Sequence, residues 1–319
     1  MLQFNHFGQP PVNPIRKFWQ TYTTFPDRIF VMLVSFGVIV TVILVAFNQL
    51  DFHFTTVPVF ATNIPSISIT SGILTLAFST FCLFYGMFIR TKLPRSSTFI
   101  WGMGLLFWTV FIDLIWANGL QATPFSPIDN TLVKIDQWMG INTPAMMAWT
   151  HNHPHIHHAL NFIYDSISLE LILIPLSLAI FNARKSLGIF FIAQLFSYFI
   201  GGMIYYFFPT MAPSGILHSP YFSLAEHDTS MRFYQVHHFL KVTTAKGGLI
   251  AFPSFHVIWA ILLTYACIGK KIIFYPMLCY NLILMAATVF LGWHYFTDVT
   301  GGFILGLGAI FFAEWVYRQ

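Results

Sequence analysis

Charge is what this sequence has least of. Only 8% of its 319 residues are Asp, Glu, Lys or Arg, against about 25% in an ordinary soluble domain. A soluble fold needs a charged shell, whereas a bilayer solvates an apolar surface without one. An ordinary soluble domain is therefore excluded. Cysteine is scarce too. Cys82, Cys267 and Cys279 each fall inside an apolar run, where they read as small hydrophobes rather than as the framework of a disulfide-stapled secreted protein. The composition also lacks what disorder, collagen or a coiled coil requires. What it has is apolar and aromatic: 56% hydrophobic and 18% Phe, Tyr or Trp, with a mean hydropathy of +0.69. The chain reads as an all-α, polytopic integral membrane bundle.

At about 20 apolar residues per crossing, eight spans are expected: 28–48, 69–89, 98–119, 158–181, 188–208, 251–268, 272–291 and 296–316. The uncharged stretch from Ile29 to Phe47 exceeds the roughly 7 to 15 residues of a signal-peptide core and no A-x-A site follows, so it is expected to stay as an anchor. Residues 1–27 form a short lead and 28–119 carry the first membrane helices. The net charge of +4 does not point to nucleic acid, because the basic residues sit in short clusters between spans. Sorted by alternate sides, Arg16, Lys17, Arg28, Arg90, Lys92, Arg95, Arg184, Lys185, Lys270, Lys271 and Arg318 share one side. Lys134, Arg232, Lys241 and Lys246 take the other. Cytoplasmic loops collect Lys and Arg, so both termini are expected in the cytoplasm, and the long loops near 120–157 and 209–250 at the periplasm, lumen or exterior. A bacterial inner membrane is the expected setting. Within the first long loop, Ile128, Leu132, Ile135, Trp138 and Met139 recur at helical spacing, as in a helix lying on the outer interface or a re-entrant segment.

Two histidines stand out at the outer membrane ends. His256 closes AFPSFH, and His294 opens HYFTD with Asp298 four residues on. On a helix that separation stacks both side chains on one face, so the carboxylate can hold one imidazole nitrogen and leave the other free, as for a histidine nucleophile or base. A capping Asp beside a wet interfacial His would produce the same spacing. Ser254 and Pro253 at the start of another span, and the FFPTMAP element ending the fifth, tip the balance. Helix starts converging on one outer cavity favour anions through their exposed N–H groups.

AFPSFHV followed by GWHYFTD resembles the second and third motifs of the phosphatidic acid phosphatase type 2 superfamily, usually PSGH and SRxxxxxHxxxD. The third motif's Ser and Arg positions hold Ala287 and Thr288 here. The branch resembling inositol phosphorylceramide synthases also lacks this Arg, reads AFPS-x-H and HYF-x-D, and carries an FP-x-x-AP element. The resemblance covers roughly residues 120–317 and implies a catalytic membrane domain over 120–319 with a six-helix core. It implies His294 as nucleophile forming a phosphohistidine, Asp298 as its orienting partner, and His256 as general acid. Ser254, Pro253 and Thr288 are implied at the phosphate. With the Arg missing, Lys246 is the expected substitute for its charge, ahead of Lys241 and Arg232. The expected reaction is lipid-to-lipid transfer of a phosphoryl or inositol phosphate-type headgroup from a phospholipid donor to a hydroxyl-bearing lipid. Hydrolysis, with water as acceptor, is the alternative.

No cofactor and no metal are expected. HNHPHIHH, with His151, His153, His155, His157 and His158, lacks a defined ligand spacing and reads as a wet loop or an adventitious metal binder. Tyr164 and Asp165 fit a substrate cavity or helix-helix hydrogen bonding equally well. A transporter would favour inverted repeats, and no matching halves are found. A catalytically lapsed scaffold would fit the absent Arg but not the intact His256, His294 and Asp298.

Overall fold

The computed structural model describes residues 13–48, 69–238, 240, 243–244 and 250–319, and among these every regular element is helical. In chain order they are α1 Pro14–Tyr22, α2 Phe25–Asn48, α3 Ile69–Phe88, α4 Pro94–Leu120, α5 Asp129–Trp138, α6 Thr143–His151 and α7 Pro154–Asp165. There follow α8 Ile167–Ile180, α9 Arg184–Phe207, a 3-10 turn at Pro213–Gly215, α10 Leu224–His237, α11 Phe255–Ala266, α12 Lys271–Phe290 and α13 Phe296–Arg318. Helix α9 is apolar on all sides and forms the axis of the bundle, with α13, α4, α11, α2 and α8 packed around it. A helix hydrophobic all round has no solvent face and so belongs inside.

Each of the eight expected spans coincides with helix, but eight crossings are not established. Among the described residues five helices, within α2, α4, α9, α12 and α13, are long and apolar enough to cross a bilayer. The expected span 158–181 is α7 and α8, bent by 46° at their junction. The expected span 251–268 is helical only from Phe255. Pro253 disfavours helix in the residue before it, which leaves a helix of 12 residues, or about 18 Å at 1.5 Å per residue. That is short of a ~30 Å hydrocarbon core, so the AFPS segment lies above α11 as irregular backbone.

At one end of the bundle, buried Asp27 accepts from the Thr24 N–H at 2.8 Å and lies 3.6 Å from Arg90 and 3.8 Å from Arg184. Arg184 also lies over the Trp101 ring at 4.0 Å. Lys185 pairs with Glu314 at 3.6 Å. These basic residues all come from the group of eleven. His256, His294 and the FFPTMAP loop occupy the other end, where α4 and α9 finish and α11 and α13 begin.

Candidate active site

The third motif is built on a turn. Helix α12 stops at Phe290, Gly292 takes a φ of +91° that a side chain would disfavour, and the His294 N–H returns to the Thr288 carbonyl at 3.0 Å. Helix α13 then starts at Phe296, which sets Asp298 in its first turn. The His294 Nδ1 lies 3.2 Å from Asp298 Oδ2, and the Tyr295 N–H donates to the same oxygen at 3.0 Å. Because the carboxylate is the acceptor in both bonds, Nδ1 carries the hydrogen and the ring's lone pair stands on Nε2. Burial pushes the His294 imidazole down to about 4, with the Ala251 carbonyl opposing that shift. A neutral ring with its lone pair on Nε2 is the nucleophilic form.

The second motif is pressed against this turn. Gly301 and Gly302 of α13 allow it, since a Cβ at 302 would come within 2.5 Å of the Ser254 carbonyl oxygen and one at 301 within 2.9 Å of the Phe252 ring. The Ser254 N–H donates to the Asp298 carbonyl at 3.1 Å. His256, in the first turn of α11, then has its ring 5.7 Å from that of His294. Tyr164 of α7 stacks on His256 at 4.4 Å and on Trp293 at 5.2 Å, which fixes the plane of the His256 ring. Two imidazoles, one oriented by a carboxylate and one held by an aromatic stack, therefore reach a common space.

The other expected residues have distinct settings. Ser254 is fully buried, and its hydroxyl has no hydrogen-bond partner among the described residues. An unmet buried donor costs about 1–3 kcal/mol, so this hydroxyl is available to an oxyanion. Pro253 has no N–H to offer and packs toward Gly301. Thr288, at the motif's Arg position, is buried in α12 and donates its hydroxyl to the Met285 carbonyl at 2.7 Å. Its visible role is to hold the His294 loop through its own carbonyl. Lys246 and Lys241 lie outside the described residues. The five clustered histidines end α6 and begin α7, mostly exposed, and among the described residues no three His, Cys, Asp or Glu side chains form a group able to hold a metal.

Two residues that the sequence reading passed over support this site. Asp129, buried on α5, accepts from the Met211 N–H at 2.9 Å and from the Tyr295 hydroxyl at 3.0 Å, so it joins FFPTMAP to HYFTD. Burial raises its carboxyl to about 6, against those hydrogen bonds, which lower it. Asp136, two helical turns on, accepts from the Phe296 N–H at 2.8 Å and from the Thr297 N–H and hydroxyl at 3.0 and 2.5 Å. It thereby caps α13, the helix that carries Asp298. Helix α5 thus turns Asp129, Leu132 and Asp136 inward, while Trp138 is 87% exposed. Their spacing of seven was visible in the sequence, but carboxylates at that spacing usually mark a solvated face.

A family model described as the PAP2 superfamily matches residues 130–312, more than half of the chain. The chain belongs to the PAP2 superfamily. No curated protein and no solved structure matches it. Members of the PAP2 superfamily are lipid phosphatases and phosphotransferases, so this chain is a membrane enzyme of that type. The PAP2 match includes α11, the α12–α13 turn and all of α5 except its first residue. The histidine pair and most of the helix that braces it therefore lie within the family unit.

Proposed function

We propose that the protein is a lipid phosphotransferase of the inositolphosphotransferase type, working through a phosphohistidine on His294. The observation that carries the reading is the carboxylate-oriented His294 with the His256 ring 5.7 Å away. In the first step the Nε2 lone pair of His294 attacks the donor phosphorus and the bond from phosphorus to the lipid oxygen breaks. His256 gives that oxygen its proton, which releases a neutral lipid alcohol. In the second step the acceptor hydroxyl loses its proton to His256 and attacks phosphorus. The P–N bond breaks, and His294 is restored. Ser254 contacts a phosphate oxygen, Lys246 adds positive charge, and Thr288 and Pro253 shape the floor of the site.

The test uses purified protein with phosphatidylinositol labelled in its headgroup, with and without a ceramide-like acceptor. A labelled headgroup on the second lipid is expected. Release of free inositol phosphate alone, unaffected by acceptor, would assign the protein as a hydrolase. No turnover of either kind, on any phospholipid or lipid phosphate, would sink the reading.

The split of basic residues supports a site on the periplasmic or luminal side, with both termini in the cytoplasm. In a background lacking the exposed Cys279, His218→Cys is expected to react with an impermeant thiol reagent from outside, while Lys271→Cys is not. Both positions are exposed. The reverse pattern would move the chemistry to the cytoplasm.

A further inference from the structure

A small cavity has Gln121, Tyr205, Thr210, Arg232 and Ala251 in its walls and is linked to His294 through Ala251. It touches both Pro-bearing loops. Thr210 belongs to FFPTMAP and takes the Phe252 N–H at 3.2 Å, and the backbone of Ala251 bonds to the His294 ring. Arg232, on α10, enters from the side. Its only hydrogen bond within the described residues runs from Nε to the Gln121 Oε1 at 3.3 Å, and no carboxylate described there lies within ion-pair distance of it. A half-buried guanidinium without a counter-charge is costly to hold.

Gln121 gives a second, separate observation. Its side chain is more than nine-tenths buried, and since its oxygen accepts from Arg232, its amide nitrogen must face away as a donor. That nitrogen has no partner among the described residues. Four guanidinium hydrogens and two amide hydrogens thus have no acceptor among the described residues. A surplus of buried donors around a cation is complementary to an anion.

We propose that Arg232, with Gln121, binds the phosphate of the donor lipid and supplies the positive charge that the Arg position of the third motif lacks. This deepens the phosphotransferase reading and rests on it. The planar fork of Arg232 suits two oxygens of one phosphate, and the amide of Gln121 takes a third. Thr288 needs no charge in this arrangement, because the cation arrives from α10.

The experiment measures inorganic phosphate binding to the full chain in nanodiscs, with orthovanadate as a second probe. Arg232→Gln is expected to weaken both by roughly 100-fold, the scale of one lost charged donor. Arg232→Lys is expected to recover about a third to a tenth of wild-type affinity, since it restores charge but not the fork. Gln121→Leu, which removes the second donor while keeping an apolar side chain, should lose about tenfold and serves as the arm that decides if Arg232→Gln unfolds. Wild-type affinity in Arg232→Gln or Gln121→Leu would overturn the proposal, as would loss of binding only in Lys246→Met. The two ideas fail separately. Phosphate binding lost in Arg232→Gln, in a protein that never labels His294, would keep the pocket and discard the phosphotransferase. Turnover in a protein whose phosphate binding ignores Arg232 would do the opposite.

Discussion

His294→Ala is expected to be inert toward both lipid and aryl phosphates and to carry no acid-labile phosphate label. Every substrate, whatever its leaving group, must first bond to Nε2. Loss of a nucleophile typically costs on the order of 10⁴-fold or more. Asp298→Asn is expected to be slow on both substrates, roughly 10³-fold, through a disordered tautomer. An amide at 298 can still meet the Tyr295 N–H, but it can also present its NH₂ to Nδ1 and so move the hydrogen to Nε2. The depressed titration of His294 adds a pH signature. Protonation removes the attacking lone pair, so the acid limb of kcat/KM on a phosphodiester, which does not itself titrate there, should fall through about pH 4 rather than 6.5. Phosphate label on the His294→Ala protein, or an acid limb at an ordinary histidine value, would defeat the assignment.

His256→Ala should behave differently on the two substrates. A lipid alkoxide leaves badly unless protonated, so loss of the general acid is expected to cost about 100- to 10,000-fold on a lipid donor. An activated aryl phosphate leaves without help, and most of that loss should disappear with it. Phosphorylated protein should then accumulate, because the same group assists the acceptor in the second step. Tyr164 sharpens the comparison. Its ring covers His256 at 4.4 Å but carries no proton that the chemistry uses, so Tyr164→Phe keeps the stack and should leave the ratio of lipid to aryl turnover unchanged. Equal losses for His256→Ala on both substrates would remove the general-acid role.

Much of the frame was legible because long apolar runs and ordered motifs are local signals. All eight expected spans fall on helix, and His256, His294, Asp298 and Ser254 converge at one end of the bundle. The misreadings have physical causes. Hydropathy runs straight through residues 251–268, yet Pro253 delays the helix to Phe255, so a composition window counts a span where α11 covers only part of the depth. The bend at residues 165–166 splits another run that is equally apolar on both sides. Asp129, Asp136 and Gln121 were missed because their partners are remote in sequence: Asp129 meets Tyr295 and Asp136 meets Thr297, while Gln121 meets Arg232. A polar residue reads as solvated until the fold supplies what it bonds.

Helix α5 lies against the start of α13, next to His294 and Asp298, and a helix so placed invites the idea of a door. Its two carboxylates exclude that. Swinging α5 away would release five donors, the Met211, Phe296 and Thr297 N–H groups and the Tyr295 and Thr297 hydroxyls. At roughly 1.5 kcal/mol for each bond to a charged group, that is about 7 kcal/mol, or one open molecule in roughly 10⁵. The same swing would uncap α13 and unseat Asp298, so the opened form would have lost the catalytic geometry it had exposed. A substrate that reaches His294 therefore has to pass a helix that stays in place, by a route other than the opening of α5.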